Sequence, residues 1–410
     1  MIASLRHPMT VPAIGIRSSE RLSSVRLCLA ACWRSVHSSA RLPGRGDPHV
    51  LAARRLELLR SNRLPSLDGL RALAALMVVV GHAGKVLQVG RHLPFGSGVI
   101  DVWGPVGVTV FFVLSGFLIT RLLVQDRRES ATIHLRAFYV RRAFRILPAY
   151  WVYMAAIAVM ARGHLVLASP SGFTRSLTFT TDYLNPQSWV MNHSWSLSVE
   201  EQFYLVWPIL LMAAGEKRAR LVAQWLIVIA PLLRVFTFYA TPGLRPSITA
   251  MFHLRADALM IGSWAALESL RPDSRVLAFL RRPGVALGGA LYCLLLAAVV
   301  RRLQLVQVAF GYTIEAGAAC SVLLWAVENP RTLAGRVLNW APLVRLGVVS
   351  YSLYLWQQLW LSHEVVTAAW MVPLLICGAV LCAELSYRFV ELPMLRFRQS
   401  CEPGVPVTAP

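Results

Sequence analysis

The sequence is poor in acidic side chains and in charge of either sign. It has 20 Asp and Glu against 41 Lys and Arg, and charged residues make up 15% of the chain while hydrophobic residues make up 56%. Soluble domains carry about 25% charged residues, and a single soluble core of this length does not absorb so much apolar surface. The composition therefore excludes an ordinary soluble protein and indicates a polytopic membrane protein.

Two further classes of site are missing. None of the seven cysteines forms a C-x-x-C pair, so the sequence predicts neither a metal site nor a disulfide framework. The net charge of +21 comes almost entirely from arginine, but no soluble basic segment with aromatic readers accompanies it. We therefore expect no nucleic-acid partner, and we interpret the arginines as cytoplasmic residues that set membrane topology.

Apolar runs dominate the chain from residue 66 onward. Several approach the ~20 residues that cross the hydrocarbon of a lipid bilayer, so they predict an all-α bundle of about ten transmembrane helices. The runs cover residues 67–87, 103–124, 146–166, 202–214, 221–240, 254–269, 284–300, 308–327, 343–362 and 367–390.

The runs divide the chain into three parts, with a transmembrane domain at 64–395. Residues 1–63, rich in Arg and Ser, are predicted to form a disordered tail; the composition also suits a mitochondrial presequence or an upstream misassigned start. Residues 396–410 form a short C-terminal tail, and we expect no soluble domain there.

Loop charge orients the bundle. The segment 121–145 holds seven arginines against two acids, and further basic clusters follow at 216–220, 271–282 and 330–336. By the positive-inside rule these segments face the cytoplasm, so both termini lie inside and the loop at 163–201 lies outside. We expect the protein in the bacterial inner membrane.

The first run, RALAALMVVVGHAG at 71–84, contains two polar groups. Arg71 and His82 are eleven positions apart, close to three helical turns, which places them on one face about 16 Å apart. Ionisable groups inside a span indicate function by default. The alternatives are that Arg71 anchors the helix at the inner surface and that His82 only packs.

The next two runs add small and basic side chains. Ser115 and Gly116 interrupt the Phe and Leu of FFVLSGFLITRLL, where small residues let helices approach closely. Arg142 and Arg145 are three apart, on one face of a helix, and paired guanidinium groups suit phosphate oxygens. Topological charge alone is the other interpretation of these arginines.

The stretch NHSWSLSVEEQFYLVWP at 192–208 is predicted to enter the fourth run from outside. It offers Trp195, Ser196 and Tyr204 as site candidates. Glu200 is expected at the depth of His82, where a carboxylate would orient an imidazole; otherwise the glutamate complements the helix dipole in solvent. Arg255 and Asp257, in HLRADALMIG at 253–262, are further candidates that pair with each other or with another loop.

Taken in order, these stretches resemble the membrane-bound acyltransferase 3 family, whose members include acyltransferases of O-antigen, of other cell-surface glycans and of macrolides. The resemblance covers roughly residues 64–395. The matching pieces are SLDGLRALAALMVVVGHAG (66–84), FFVLSGFLIT (111–120), RRAFRILPAYW (141–151), SWSLSVEEQFYLVWP (194–208), RADALMIG (255–262) and YSLYLW (351–356).

The resemblance implies a ten-helix enzyme that transfers an acyl group, acetyl above all, from cytoplasmic acyl-CoA to a hydroxyl. The acceptor would be a glycan, a lipid-linked sugar or a macrolide-like metabolite, with no bound cofactor and no metal. The family's Arg-x10-His motif falls on Arg71 and His82, and its Arg-x-x-Arg motif falls on Arg142 and Arg145. Its acidic motif selects Glu200. His82 would be the general base or a transient acyl carrier.

Two positions depart from the family pattern. Thr109 stands where members commonly have Asp, and Gln357 stands where the ninth-run motif usually has His. Some members also carry a fused esterase-like domain, which we do not expect in this chain. The alternative functions are a transporter or flippase of a lipid-linked sugar, and an inactive scaffold if the two departures abolish turnover.

Overall fold

The computed structural model describes residues 64, 66–87, 98–183, 188–362 and 368–401, all of which belong to one compact unit, Glu57–Pro410. Helices dominate these residues, and the described part of the chain contains no β-strand. The all-α prediction is confirmed there. The tail at 1–63 lies outside the described residues.

Fourteen helices carry the described fold, with a 3₁₀ turn at Pro242–Ser247. The helices are α1 (Leu67–Leu87), α2 (Gly98–Ser130), α3 (Leu135–Arg162), α4 (Pro170–Leu177), α5 (Trp189–Asn192), α6 (Ser194–Ala240), α7 (Phe252–Glu268), α8 (Arg275–Leu280), α9 (Pro283–Arg302), α10 (Gln304–Glu328), α11 (Leu333–Leu338), α12 (Ala341–Val348), α13 (Ser350–Trp360) and α14 (Met371–Ser400).

Seven described helical stretches are long and apolar enough to cross a membrane: α1, α2, α3, α5 with α6, α9, α10 and α14. The helix α6 breaks at Gly215, whose φ of 74° suits glycine, so it divides near the boundary between two predicted runs. By contrast, α7 has 17 residues and α13 has 11, fewer than the ~20 that a perpendicular span needs. The predicted count of about ten crossings is not confirmed.

The outer surface of the bundle is apolar. Val159, Leu374 and Phe389 are 72%, 66% and 74% exposed, and many other large apolar side chains are exposed with them. Soluble proteins rarely present such continuous apolar surface to water. Together with the seven long apolar helices, this surface identifies an all-α, multi-pass membrane protein.

Glycines bring α2 into close contact with its neighbours. A Cβ on Gly81 of α1 would lie 2.4 Å from the backbone N of Gly104 in α2. A Cβ on Gly116 of α2 would lie 1.9 Å from the carbonyl oxygen of Leu259 in α7. Only the absence of side chains allows these approaches, so the packing interpretation of Gly116 is confirmed.

The arginine-rich end of α2 lies against the break in α6. Arg127 donates from Nη1 to the carbonyl oxygen of Leu211 at 3.2 Å, and Arg128 is 3.4 Å from a carboxylate oxygen of Glu216. Two basic segments that the positive-inside rule assigns to one side of the membrane therefore lie together in the fold.

Candidate active site

A cavity lies among α1, α2, α3, α6 and the first turns of α13, and its empty space is about 800 Å³ with the adjoining open solvent included. Seven of the predicted site residues line it. They are Arg71, Ser115, Arg142, Arg145, Ser196, Glu200 and Tyr204. Apolar side chains of α2, among them Phe111 and Phe112, complete much of the wall. Residues far apart in the sequence thus converge on one space.

The cavity carries excess positive charge. Arg71 enters from α1, and Arg142 and Arg145 enter from one face of α3, as their spacing predicted. Glu200 is the one carboxylate among the described lining residues, so three positive groups face one negative group. Such an arrangement suits a ligand with several negative charges, since guanidinium groups pair with phosphate or carboxylate oxygens.

Hydroxyl groups tie the carboxylate of Glu200 into the wall. Tyr204 donates from its hydroxyl to Glu200 Oε2 at 3.2 Å, and Ser115 Oγ lies 2.5 Å from the Tyr204 hydroxyl oxygen. The guanidinium carbon of Arg142 lies 4.8 Å from the centre of the Tyr204 ring. Ser115, Tyr204, Glu200 and Arg142 therefore form one polar cluster, contributed by α2, α6 and α3.

His82 lies outside this cavity, although it shares α1 with Arg71 as predicted. Its Nδ1 is 2.9 Å from Oε1 of Gln357, and its ring meets the edge of Trp189 with centroids 5.4 Å apart. The expected pairing of Glu200 with His82 is wrong: the hydrogen bond of Glu200 goes to Tyr204. Helix α6 places Glu200 at the Arg71 end of the site rather than at the His82 end.

Helix α13 links the two places. Tyr351 and Tyr354 line the cavity, and Gln357 contacts His82 one turn further along. The Tyr354 hydroxyl oxygen lies 2.5 Å from Ser196 Oγ, which also donates to the carbonyl oxygen of His193. Neither tyrosine was among the site residues predicted from the sequence. Their signal was the run YSLYLWQQ, in which hydroxyls recur at helical spacing.

The other three candidates stand apart from the cavity. Trp195 packs behind its wall, with its ring centroid 6.0 Å from that of Phe112. Asp257 forms a fully buried ion pair with Arg234 at 2.9 Å. Arg255 donates to the Thr109 hydroxyl at 2.8 Å. Arg255 and Asp257 therefore do not pair with each other. Arg255 contacts α2, and Asp257 pairs with α6.

The Arg234–Asp257 pair has the contacts of a structural element. Arg234 also donates to the carbonyl oxygens of Val308 and Leu254, at 2.8 and 2.7 Å, and to the Thr313 hydroxyl at 2.6 Å. A buried ion pair needs such additional hydrogen bonds to offset desolvation. Because its polar groups are engaged with protein, Asp257 is a poor candidate for substrate contact.

Among the described residues, no group of three His, Cys, Asp or Glu side chains is placed to hold a metal ion. A family model described as an acyltransferase domain matches residues 64–388. The chain belongs to the acyltransferase 3 family.

Two curated relatives are informative. OatA of Listeria monocytogenes, a peptidoglycan O-acetyltransferase, is 27% identical over 364 residues, which cover 81% of this chain and 56% of that protein. YrhL of Bacillus subtilis, provisionally named for the same activity, is 28% identical over 361 residues, covering 81% of this chain and 55% of that protein. The chain thus spans about half the length of these relatives. No solved structure matches significantly.

Proposed function

We propose that this protein is an integral-membrane O-acyltransferase that moves an acetyl group from acyl-CoA to a hydroxyl of a cell-envelope glycan. The observation that carries the proposal is the positively charged cavity at Arg71, on the same helix as His82. The names of the relatives favour peptidoglycan as the acceptor class. Lipid-linked sugars and macrolide-like metabolites are the competing acceptors.

The donor would bind through the cavity arginines. Coenzyme A carries several phosphate groups, and Arg71, Arg142 and Arg145 supply guanidinium donors that pair with phosphate oxygens. The basic end of the bundle faces the cytoplasm by the positive-inside rule, which is where acyl-CoA is made available. The proposal therefore places the protein in the inner membrane with both termini inside.

His82 would serve the acceptor. As general base, His82 takes the proton of the acceptor hydroxyl while the hydroxyl oxygen forms a bond to the thioester carbonyl carbon. The carbon–sulfur bond then breaks, and the CoA thiolate leaves and takes up a proton. As a transient carrier, the imidazole would hold the acyl group between two transfers. In either route Glu200 does not act on His82 directly; it holds Tyr204 beside Arg142.

The test uses purified protein in proteoliposomes with radiolabelled acetyl-CoA and soluble, de-O-acetylated peptidoglycan strands. We expect release of free CoA and label on the glycan, both abolished by His82→Ala. His253→Ala, which removes an exposed imidazole, is the matched control and should transfer normally. Equal transfer by wild type and His82→Ala would contradict the role of His82. Movement of a lipid-linked sugar without CoA release would instead support a transporter.

A further inference from the structure

The side-chain amide of Gln357 has a defined orientation. Gln357 is fully buried, its Nε2 donates to the carbonyl oxygen of Tyr354 at 3.5 Å, and its Oε1 lies 2.9 Å from His82 Nδ1. The reverse orientation would set Oε1 against the Tyr354 carbonyl oxygen, two acceptors facing each other. The carbonyl end of the amide therefore points at His82.

This orientation decides which nitrogen of His82 carries the proton. An amide oxygen only accepts hydrogen bonds, so His82 Nδ1 must be the donor. In a neutral imidazole the other nitrogen then keeps its lone pair. His82 Nε2 is consequently the atom able to take a proton, and it has no hydrogen-bond partner among the described residues.

The ring cannot turn freely away from this arrangement. Trp189 packs its edge against His82, and the Trp189 indole donates to the carbonyl oxygens of Gln358 and Leu361, at 3.0 and 2.8 Å. The Gln358 amide donates back to the Trp189 carbonyl oxygen at 2.6 Å. Helices α5 and α13 thus hold the imidazole on one side.

A gap lies between the His82 ring and Gly104 of α2. A Cβ built on Gly104 would lie 4.0 Å from both Nε2 and Cδ2 of His82, and it would meet no other atom within 4 Å. By contrast, a Cβ on Gly81, across the same helix contact, would collide with the α2 backbone at 2.4 Å. Gly104 is therefore not needed for helix packing in the way that Gly81 is; its missing side chain leaves space in front of Nε2.

We propose that the gap between His82 Nε2 and Gly104 is the slot that receives the acceptor hydroxyl, and that Gln357 is the positioning residue that keeps the Nε2 lone pair aimed into it. The inference rests on the proposed function, since it assigns the hydroxyl that His82 serves. It adds the reacting atom, the wall of the slot and a residue that limits the acceptor's size.

A graded series at Gly104 tests the slot. Gly104→Ala sets a Cβ 4.0 Å from Nε2, in the space assigned to the hydroxyl, and should lower acceptor kcat/KM severalfold. Gly104→Val adds two methyl groups there and should lower it further, at least about tenfold, as methyl-sized changes in pockets do. The KM for acetyl-CoA should stay unchanged. Gly288→Val, on α9 in open space, controls for a β-branched residue in a helix. Equal kcat/KM for the Gly104→Val and Gly288→Val variants would overturn the slot.

A second measurement needs no acceptor and so separates this inference from the proposed function. Diethylpyrocarbonate acylates accessible imidazole nitrogen, and mass spectrometry reports its rate at His82. Gly104→Val should slow that rate severalfold relative to Gly288→Val, even if no glycan is ever acetylated. An unchanged rate would overturn the slot while leaving the acyltransferase proposal standing. Wild-type protein without transferase activity would overturn the acyltransferase proposal, and with it the acceptor role of the slot, even where the rate at His82 slows as expected.

The role of Gln357 has a spectroscopic signature. In protein with ¹⁵N-labelled histidine, the signal missing from His82→Ala identifies His82, and its shifts should show the proton on Nδ1. Gln357→Met, similar in volume but without the acceptor, should lose this tautomer preference and lower kcat with little change in acceptor KM. Gln357→Glu keeps an oxygen acceptor facing His82 and should retain the tautomer preference. A wild-type proton on Nε2, or an unaltered tautomer in Gln357→Met, would overturn the assignment.

Discussion

Removing the charge of Glu315 is expected to destabilise the packing of α2, α7 and α10. Glu315 is fully buried; its Oε1 accepts from the Thr109 hydroxyl at 2.6 Å and its Oε2 accepts from Arg301 at 3.0 Å. Arg255 in turn donates to Thr109 at 2.8 Å and lies over the ring of Tyr312. One carboxylate thus serves two guanidinium groups, one of them through a hydroxyl.

The magnitude follows from the burial of these partners. Glu315→Gln keeps the shape of the side chain but leaves Arg255 and Arg301 without that negative charge, and breaking a buried pair costs about 3–5 kcal/mol. The Arg301 side chain is 18% exposed and can be partly hydrated, so we expect the lower value, about 3 kcal/mol. Adding Thr109→Asp returns a carboxylate next to Arg255, and the double variant should regain about half of the loss.

The assay is the apparent Tm in detergent, followed by tryptophan fluorescence. At about 2 °C per kcal/mol, the scale of chains above 200 residues, Glu315→Gln should lower the Tm by about 6 °C. Glu129→Gln, at an exposed site near the end of α2, should leave it unchanged. An unaltered Tm in Glu315→Gln, or a double variant no more stable than the single one, would refute this account of the network.

Three further outcomes are expected. Arg142→Gln and Arg145→Gln should each raise the KM for acetyl-CoA about tenfold, because each removes one charge-assisted contact to the donor. Arg136→Gln, at an exposed site, is the control and should leave the KM unchanged. Unchanged KM values in the two cavity variants would mean that the donor binds elsewhere. Burial raises the pKa of the Asp182 carboxyl from 3.8 to about 6, so the Tm should fall as pH rises through that window, and Asp182→Asn should remove this dependence. Gly262→Ala would set a Cβ 2.1 Å from the α2 backbone and should prevent stable folding, which the yield of monodisperse protein checks.

Local patterns predicted what depends on local geometry. Helical periodicity placed Arg71 and His82 on one helix, and the three-residue spacing placed Arg142 and Arg145 on one face of α3. Gly116 was predicted to allow a close approach between helices. A Cβ there would lie 1.9 Å from the carbonyl oxygen of Leu259, so this prediction is confirmed. These predictions hold because the rise and twist of an α-helix fix them without reference to any other segment.

Predictions across helices were weaker because they need depth and rotation. Glu200 was expected beside His82, but α6 brings it to Tyr204. Asp257 was a site candidate, but its partner Arg234 comes from the second half of α6, beyond the break at Gly215. Nothing in the sequence near either residue gives its register against a neighbouring helix, so only the assembled bundle decides which polar groups meet.

The two departures from the family pattern bear on whether the protein is an inactive scaffold. Thr109 accepts from Arg255 and donates to Glu315, and Gln357 accepts from His82 and donates to the carbonyl oxygen of Tyr354. A hydroxyl both donates and accepts, so Thr109 can join Arg255 to Glu315, which an ionised carboxylate, an acceptor only, would join differently. The amide of Gln357 both donates and accepts, as does the neutral imidazole that is usual at that position. These hydrogen bonds stabilise the packing of the helices, since a buried polar group without a partner costs free energy. Turnover by the wild-type protein in the reconstituted assay is the result that separates an active enzyme from an inactive scaffold with the same paired positions at Thr109 and Gln357.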